Sequence, residues 1–268
     1  MTIQQSISAG FQNVDRSETD FLIQFLEDAN RLPSVVKAFQ TQLRLLDLKP
    51  GNHALDIGCG IGDRAAQMAE FVGPNGNIVG TDLSSVMVET SKNRHGRSGL
   101  PLEFYVANAC DQPFPDTSFD AIRTERVLMY IRDPSEAFRE FKRLLKDSGR
   151  LLVADMDWDA LVFTHKNKAL TRKIVEFISD SFPSGRIGAD LYKLFKESGF
   201  RDIAVEPFGY QCPLEFAKRV CFGIVQAGED SGVFNKTEIA DWWAALEQDE
   251  RDGTYFMAFQ GYIVAGTK

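Results

Sequence analysis

Three glycines alternate through residues 58 to 62 of "HALDIGCGIGD", directly after an apolar run and Asp56. Without a Cβ, such a stretch can turn sharply and let a ligand approach the backbone. A helix opening just after it would add unpaired N–H groups and the positive end of its dipole. A tight strand-to-helix turn would also favour a glycine, but three alternating ones behind an aspartate point to a ligand. The dinucleotide fingerprint G-x-G-x-x-G has its last glycine three places after the second. Here the order is Gly58-Cys59-Gly60-Ile61-Gly62, and Asp63 occupies that last place. Asp56 would repel a pyrophosphate and attract an ammonium group. Asp82 ends the next apolar run, "NIVGTD", where a carboxylate accepts hydrogen bonds from ribose hydroxyls. A nucleoside with a cationic, amino-acid-like tail and no phosphate meets these demands, and S-adenosylmethionine (SAM) is such a molecule.

The elements that must position these residues alternate along the chain. Phe21, Leu22, Phe25, Leu26 and Ala29 form one helical stripe, and Leu32, Val35, Val36, Phe39, Leu43 and Leu46 form a second behind Pro33. "HALDI" reads as a buried strand, "GDRAAQMAEFV" as a helix, "NIVGTD" as a second strand and residues 84 to 94 as a helix. "LEFYVAN" and "FDAIRTE" are the third and fourth strands. "DPSE" starts the next helix with an N-cap aspartate, a proline in the first turn and Glu136 as reciprocal partner. "GRLLVADMD" is a fifth strand. Apolar runs without polar alternation are buried on both faces, which means a parallel sheet covered by helices. Ligands of such sheets bind beyond the carboxyl ends of the strands, where the glycine stretch lies.

Composition narrows the partners. The chain has 268 residues, 44% hydrophobic and 25% charged, with a formal net charge of −8, so phosphate backbones are repelled and nucleic acid is not the expected partner. "MTIQQSISAGFQNVD" has neither a basic nor an apolar signal-peptide region, and no apolar run is long enough to span a membrane. Cys59, Cys110, Cys212 and Cys221 form no CxxC pair, so neither zinc nor a disulfide framework is expected and a cytoplasmic setting is the simplest.

"LDIGCGIGD", "VGTDLS", "ANACDQPFPDTSFDAI" and "LLKDSGRLLVAD", in that order and spacing, resemble the successive motifs of class I SAM-dependent methyltransferases of the small-molecule type. The resemblance covers about residues 50 to 158. It implies an α/β, Rossmann-like doubly wound sheet of seven strands, mostly parallel with an antiparallel last strand. "RDIAVEPFGY" and "YFMAFQGYIVAG" would be the final two strands. Residues 1–48 would form an N-terminal helical cap, and 49–268 the SAM-binding domain, with insertions at about 158–187 and 212–250, the latter helical and part of a lid.

By position, the resemblance has Asp56, Gly58, Cys59, Gly60 and Gly62 hold the methionine moiety and Asp82 the ribose hydroxyls. Leu83 and Met87 would pack on the adenine. Asn108 stands where the family has an aspartate; its amide can still accept from the adenine amino group or donate to a ring nitrogen, with the Ala109 N–H contributing. "TERVLMYI" replaces the family's "NxVLHHL", which sets Arg126 beside the cofactor, a surface salt bridge being the equal alternative, and Met129 and Tyr130 near the transferred methyl.

The reaction asks for a nucleophile in line with the methyl group and water excluded, with a base where the nucleophile is a hydroxyl or protonated amine. Tyr130 and His165 are the candidate catalytic residues. His165 follows the fifth strand in "DMDWDALVFTHKNK", where an exposed loop histidine is the commoner role, and Asp157 or Asp159 there could bind a cationic substrate. The aromatics Phe216, Phe222, Phe234, Trp242 and Trp243 each suit ordinary core; together, in capping segments, they suggest a closed apolar pocket. The expected function is methyl transfer from SAM, leaving S-adenosylhomocysteine (SAH), to a small organic acceptor through O, N or C, without a metal. The alternatives are a SAM-binding cyclase or rearrangement enzyme, or a non-catalytic SAM-binding regulator.

Overall fold

Each apolar run becomes a strand whose side chains divide between two helical layers. In the computed structural model, which describes residues 10, 11, 14–17 and 19–268, these are β1 (His53–Ile57), β2 (Asn77–Asp82), β3 (Leu102–Val106), β4 (Phe119–Glu125) and β5 (Leu145–Met156). They lie in the order β3-β2-β1-β4-β5, all parallel. β6 (Val162–Phe163), β7 (Arg201–Gln211) and β8 (Met257–Thr267) follow. β8 runs antiparallel to β5 and β7 antiparallel to β8. The sheet therefore has 8 strands, one more than the resemblance implies. The extra one is a fragment: β6 pairs with Ala258 and Met257 of β8, just past the Met156–Gly261 pairing of β5, so it resumes the line of β5 after a short break. Most of the segment read for absence of a signal peptide lies outside the described residues. Among the described residues, no helix is long and apolar enough to cross a membrane.

The helices are α1 (Thr19–Arg31), α2 (Pro33–Leu46), α3 (Asp63–Val72), α4 (Ser85–His95), α5 (Pro134–Leu144), α6 (Lys168–Asp180), α7 (Ile187–Glu197), α8 (Leu214–Asp230) and α9 (Lys236–Arg251). One face of the sheet buries Ala54, Ala121, Leu152 and Ala265 against Phe39, Leu46, Met68 and Val88 of α2, α3 and α4. The other buries Leu55, Ile122, Val153 and Val264 against Phe138, Phe141, Ile174 and Phe195 from the remaining helices. Residues two apart on a strand share a face, so Asp56 points with Ala54, and Arg123 and Glu125 with Ala121, toward α2. The α5 cap differs from the expected reciprocal box. Asp133 accepts from the Ser135 N–H at 3.0 Å, but Glu136 pairs with Arg139 at 3.8 Å instead of returning to the cap.

Candidate cofactor and acceptor site

The glycine loop joins β1 to α3. Gly58, Gly60 and Gly62 have φ of 72°, 55° and 82°, the left-handed region that side chains with a Cβ disfavour. A Cβ on Gly58 would lie 2.1 Å from Cγ2 of Val127, and one on Gly62 would lie 2.8 Å from the Phe104 ring. The loop is thus pressed between its neighbours; Gly58, Cys59, Gly60 and Ile61 line the cavity, while Gly62 does not and instead makes the turn into α3. The Gly58 and Cys59 N–H groups both donate to the Thr81 carbonyl, at 2.7 and 2.9 Å, which ties the loop to β2. Cys59 lines the cavity, and burial pushes its thiol well above the ordinary value, so it is an inert wall.

Asp82 links two loops. Its carboxylate accepts from the Gly60 N–H at 2.9 Å and the Ser84 N–H at 3.0 Å. Burial raises its pKa against the pull of those two bonds. Leu83, 69% exposed, offers an apolar platform beside it. Met87, Asn108 and Ala109 line the same stretch of cavity. The Asn108 amide oxygen accepts from the Cys110 N–H at 3.0 Å, which fixes the amide's orientation and turns its NH2 away from that contact.

Below the loop lies an ionic cluster centred on Arg123. Arg123 is buried, with Nη1 at 2.6 Å from Asp56 Oδ1, Nε at 2.7 Å from Gln42 Oε1 and Nη2 on Glu125. Burial alone would lower the Arg123 pKa, but the Asp56 and Glu125 carboxylates hold it above the ordinary value. Burial likewise works against the Glu125 carboxylate, yet Arg123, Arg126 and Arg64 keep its pKa below the ordinary range. Arg64 packs over the Phe39 ring at 4.5 Å. Asp56 itself does not line the cavity; Arg123, Glu125, Arg126 and Arg64 do. The expected contact of Asp56 with the cofactor is corrected in part: its face of the strand points to α2 and Oδ1 pairs with Arg123, while Oδ2 is buried without a hydrogen-bond partner and burial raises the carboxyl's pKa against the pull of the Arg123 charge. A signal was available. An arginine inside an apolar strand needs a buried carboxylate.

Arg126 faces the cavity instead of making only a surface salt bridge. Its φ of 58° is unusual for arginine, its N–H donates to the Ala154 carbonyl at 2.9 Å, and its Nε sits 3.8 Å from Glu125. Such backbone is retained where the surroundings demand it. The turn that follows, Leu128–Tyr130, is held by Asp155. That carboxylate accepts from the Leu128 N–H at 2.9 Å and the Met156 N–H at 3.0 Å, and burial pushes it up to about 7 in spite of them.

Beyond the turn the cavity, of about 270 Å³, is walled by aromatic rings. Trp158 stacks on Phe182 at 4.5 Å and meets Phe259 edge-on at 5.6 Å, and Tyr130 packs on Phe182 at 5.8 Å. Burial, and then the Asp155 charge, raises the Tyr130 hydroxyl well above the ordinary value, so it can donate a hydrogen bond but is no base at neutral pH. Phe182, Tyr210 and Phe259 also line this lobe; in the sequence they look like core.

His165 does not join the site. It is buried, not exposed: its ring lies 5.5 Å from Trp242 of α9, and Nδ1 accepts from the Asn167 N–H at 2.9 Å. It is absent from the cavity wall, so the expected base is corrected to a packed histidine. Asp157 and Asp159 are likewise outside that wall. Asp157 caps the turn at Asp159 N–H (3.2 Å), and Asp159 pairs with Arg186 at 3.0 Å. Phe222 and Trp243 pack on one another at 5.8 Å, and of the lid aromatics only Phe216 lines the cavity. Among the described residues no group of His, Cys, Asp and Glu could hold a metal.

The family model for a methyltransferase domain matches residues 48–199. An uncharacterized 37.1 kDa protein in transposon TN4556 of Streptomyces fradiae is 35% identical over 62% of this chain and 48% of its own length. A ubiquinone/menaquinone biosynthesis C-methyltransferase of Ectopseudomonas mendocina (strain ymp) is 32% identical over 58% of this chain and 61% of its own. The chain thus spans about half to three-fifths of these relatives. Phosphoethanolamine N-methyltransferase 2 of Haemonchus contortus, solved with phosphomonomethylethanolamine and SAH, matches with a TM-score of 0.62 and 21% identity over 96% of this chain and 60% of that one. At that identity the likeness is one of fold.

Proposed function

The chain belongs to the methyltransferase-domain family, and on that premise we propose that it transfers the methyl group of SAM to a small, neutral, largely apolar acceptor. The chemistry SAM supplies when bound is a sulfonium methyl group that is electrophilic without further activation. Gly58 to Ile61, Arg64 and Arg126 hold the methionine end, where the guanidinium groups match a carboxylate. Asp82 accepts from the ribose hydroxyls, Leu83 and Met87 pack on the adenine, and Asn108 and Ala109 bind its edge. The turn at Leu128–Tyr130 brings Met129 and Tyr130 toward the reacting atoms, and the aromatic wall excludes water.

The acceptor class rests on one observation. Every charged side chain on the cavity wall (Asp63, Arg64, Asp82, Arg123, Glu125 and Arg126) lies at the glycine loop, the start of α3, or the ends of β2 and β4; Tyr130, Trp158, Phe182, Tyr210 and Phe259 line the aromatic side, where Arg126 and Glu125 are the nearest wall charges to Tyr210 and are already engaged in the proposed methionine contact and the Arg123 cluster. An uncompensated phosphate or carboxylate would be costly to bury there. An acceptor like the ring substrate of a quinone C-methyltransferase suits that wall better than a phosphorylated amino alcohol. Methyl-labelled SAM offered with neutral phenols and hydroquinones, and separately with phosphoethanolamine, tests this. Label in a neutral ring together with SAH release supports the reading. Label in phosphoethanolamine alone, or no SAM binding at all, would overturn it.

A further inference from the structure

Two hydrogen-bond donors in the aromatic lobe rest on sulfur. The Tyr210 hydroxyl donates to Met156 Sδ at 3.6 Å, and Trp158 Nε1 donates to Met129 Sδ at 3.3 Å. All four residues line the cavity. A thioether is a weak acceptor, so either donor would gain by turning to an oxygen. The two differ in reach. Trp158 is buried between Phe182 and Phe259, whereas Tyr210 stands at the half-exposed end of β7.

We propose that Tyr210 is a specificity residue whose hydroxyl hydrogen-bonds an oxygen on a planar, uncharged acceptor ring. The assignment rests on the reading of this lobe as the acceptor site. Tyr210 is pre-positioned for it. Its register partner on β8 is Phe259, whose ring lies 5.5 Å away, and Phe208 stacks beside it at 6.3 Å. A donor held in place before binding loses little freedom when the bond forms. Burial pushes the hydroxyl up to about 12, so it keeps its proton at any working pH. Tyr130, the other half-buried phenol on this wall, lies on the turn that follows Arg126 and is assigned above to the reacting atoms, which leaves Tyr210 to meet the acceptor's oxygen. Tyr210 therefore selects oxygen-bearing rings over hydrocarbon rings of the same shape, while the aromatic walls supply affinity without direction.

The test compares 1-indanone with indane, which share a ring system and differ by a carbonyl, by calorimetry on SAH-saturated protein. Tyr210→Phe keeps the ring and removes the donor. The ratio of indanone to indane affinity is expected to fall about fivefold in the variant, the worth of one ordinary hydrogen bond, with indane and SAH binding unchanged. An unchanged ratio would overturn the assignment. So would parallel loss of both probes, because Tyr210 would then be wall and not donor. Failure of SAH to bind the native protein would instead count against the cofactor reading, so the two failures are distinguishable.

Discussion

Asp56 and Arg123 are register partners on adjacent parallel strands, and their side chains meet at 2.6 Å with both residues almost wholly buried. The contact follows from the alternation of strand side chains, which sends both toward α2, where Gln42 and Glu125 complete the set around Arg123. A carboxylate expected to meet a cationic ligand faces Arg123 instead, and Arg64, Arg123 and Arg126 line the cavity together with Asp63, Asp82 and Glu125.

Asp56→Asn therefore tests stability before affinity. Removing one partner of a buried pair leaves the other charge uncompensated, at about 3–5 kcal/mol; Glu125 still faces Arg123, so the low end is expected. Urea unfolding should show that loss, while the SAH dissociation constant of the folded fraction moves less than about threefold, under the 1.4 kcal/mol that makes tenfold. A tenfold loss of SAH affinity at native stability would restore Asp56 to the ligand site.

Asp82→Ala should act on affinity. Two ribose hydrogen bonds to a charged acceptor are worth about 1.5–3 kcal/mol each, so SAM affinity should fall at least about tenfold. The variant also removes the acceptor of the Gly60 and Ser84 N–H groups, so the melting temperature should drop modestly while far-UV circular dichroism stays native. An unchanged dissociation constant by calorimetry would mean that the ribose is held elsewhere.

The strands and the glycine loop were legible because their causes are local. Both-face burial writes "HALDI" and "NIVGTD" as apolar runs, and left-handed backbone demands glycine at Gly58, Gly60 and Gly62. What depends on a distant partner was not legible. Arg123 lies 67 positions from Asp56, and nothing near "FDAIRTE" says which carboxylate it meets. His165 reads as a loop histidine until α9 brings Trp242 against it. Tyr210 and Phe259 look like strand core because the cavity that exposes them exists only when β7 and β8 pair. Asn108 is half legible: its motif position places it on the cavity wall, but its local bond to the Cys110 N–H depends on the turn that follows.

Asp155 carries a pH signature. Burial raises its pKa from 3.8 to about 7, so between those values the folded protein holds a proton that the unfolded chain has released. Stability then falls as pH rises through this window and levels off above it. Asp155→Asn cannot titrate and should show a shallower decline of the urea midpoint across the same window, offset by a constant for the altered bonds to the Leu128 turn. Parallel profiles in the two proteins would show that Asp155 does not titrate there.

α1 and α8 close the cavity from one side. Phe25 stacks on Phe216 at 4.9 Å, Arg219 Nη1 pairs with Asp28 Oδ2 at 2.8 Å, and the Arg219 guanidinium lies 5.4 Å over Phe25 and 5.5 Å over Phe21. Phe25, Leu26, Phe216 and Val220 line the cavity, so a ligand entering from this side must part the two helices. The contacts suit a door: a stacked ring pair is worth about 0.5–1.5 kcal/mol beyond its buried area, and a partly exposed ion pair about 1 kcal/mol or less. Hydrogen exchange should slow on SAH addition in α1 and in the segment from Trp158 to Ile187, and change little in α5, whose Phe138 and Phe141 are sealed in the core. Arg219→Ala should raise the SAH dissociation rate several-fold with little change in melting temperature, because it loosens the closure without opening the core. Equal protection with and without SAH, together with an unchanged dissociation rate in the variant, would mean that α1 and α8 form a fixed wall and that the route into the cavity lies elsewhere.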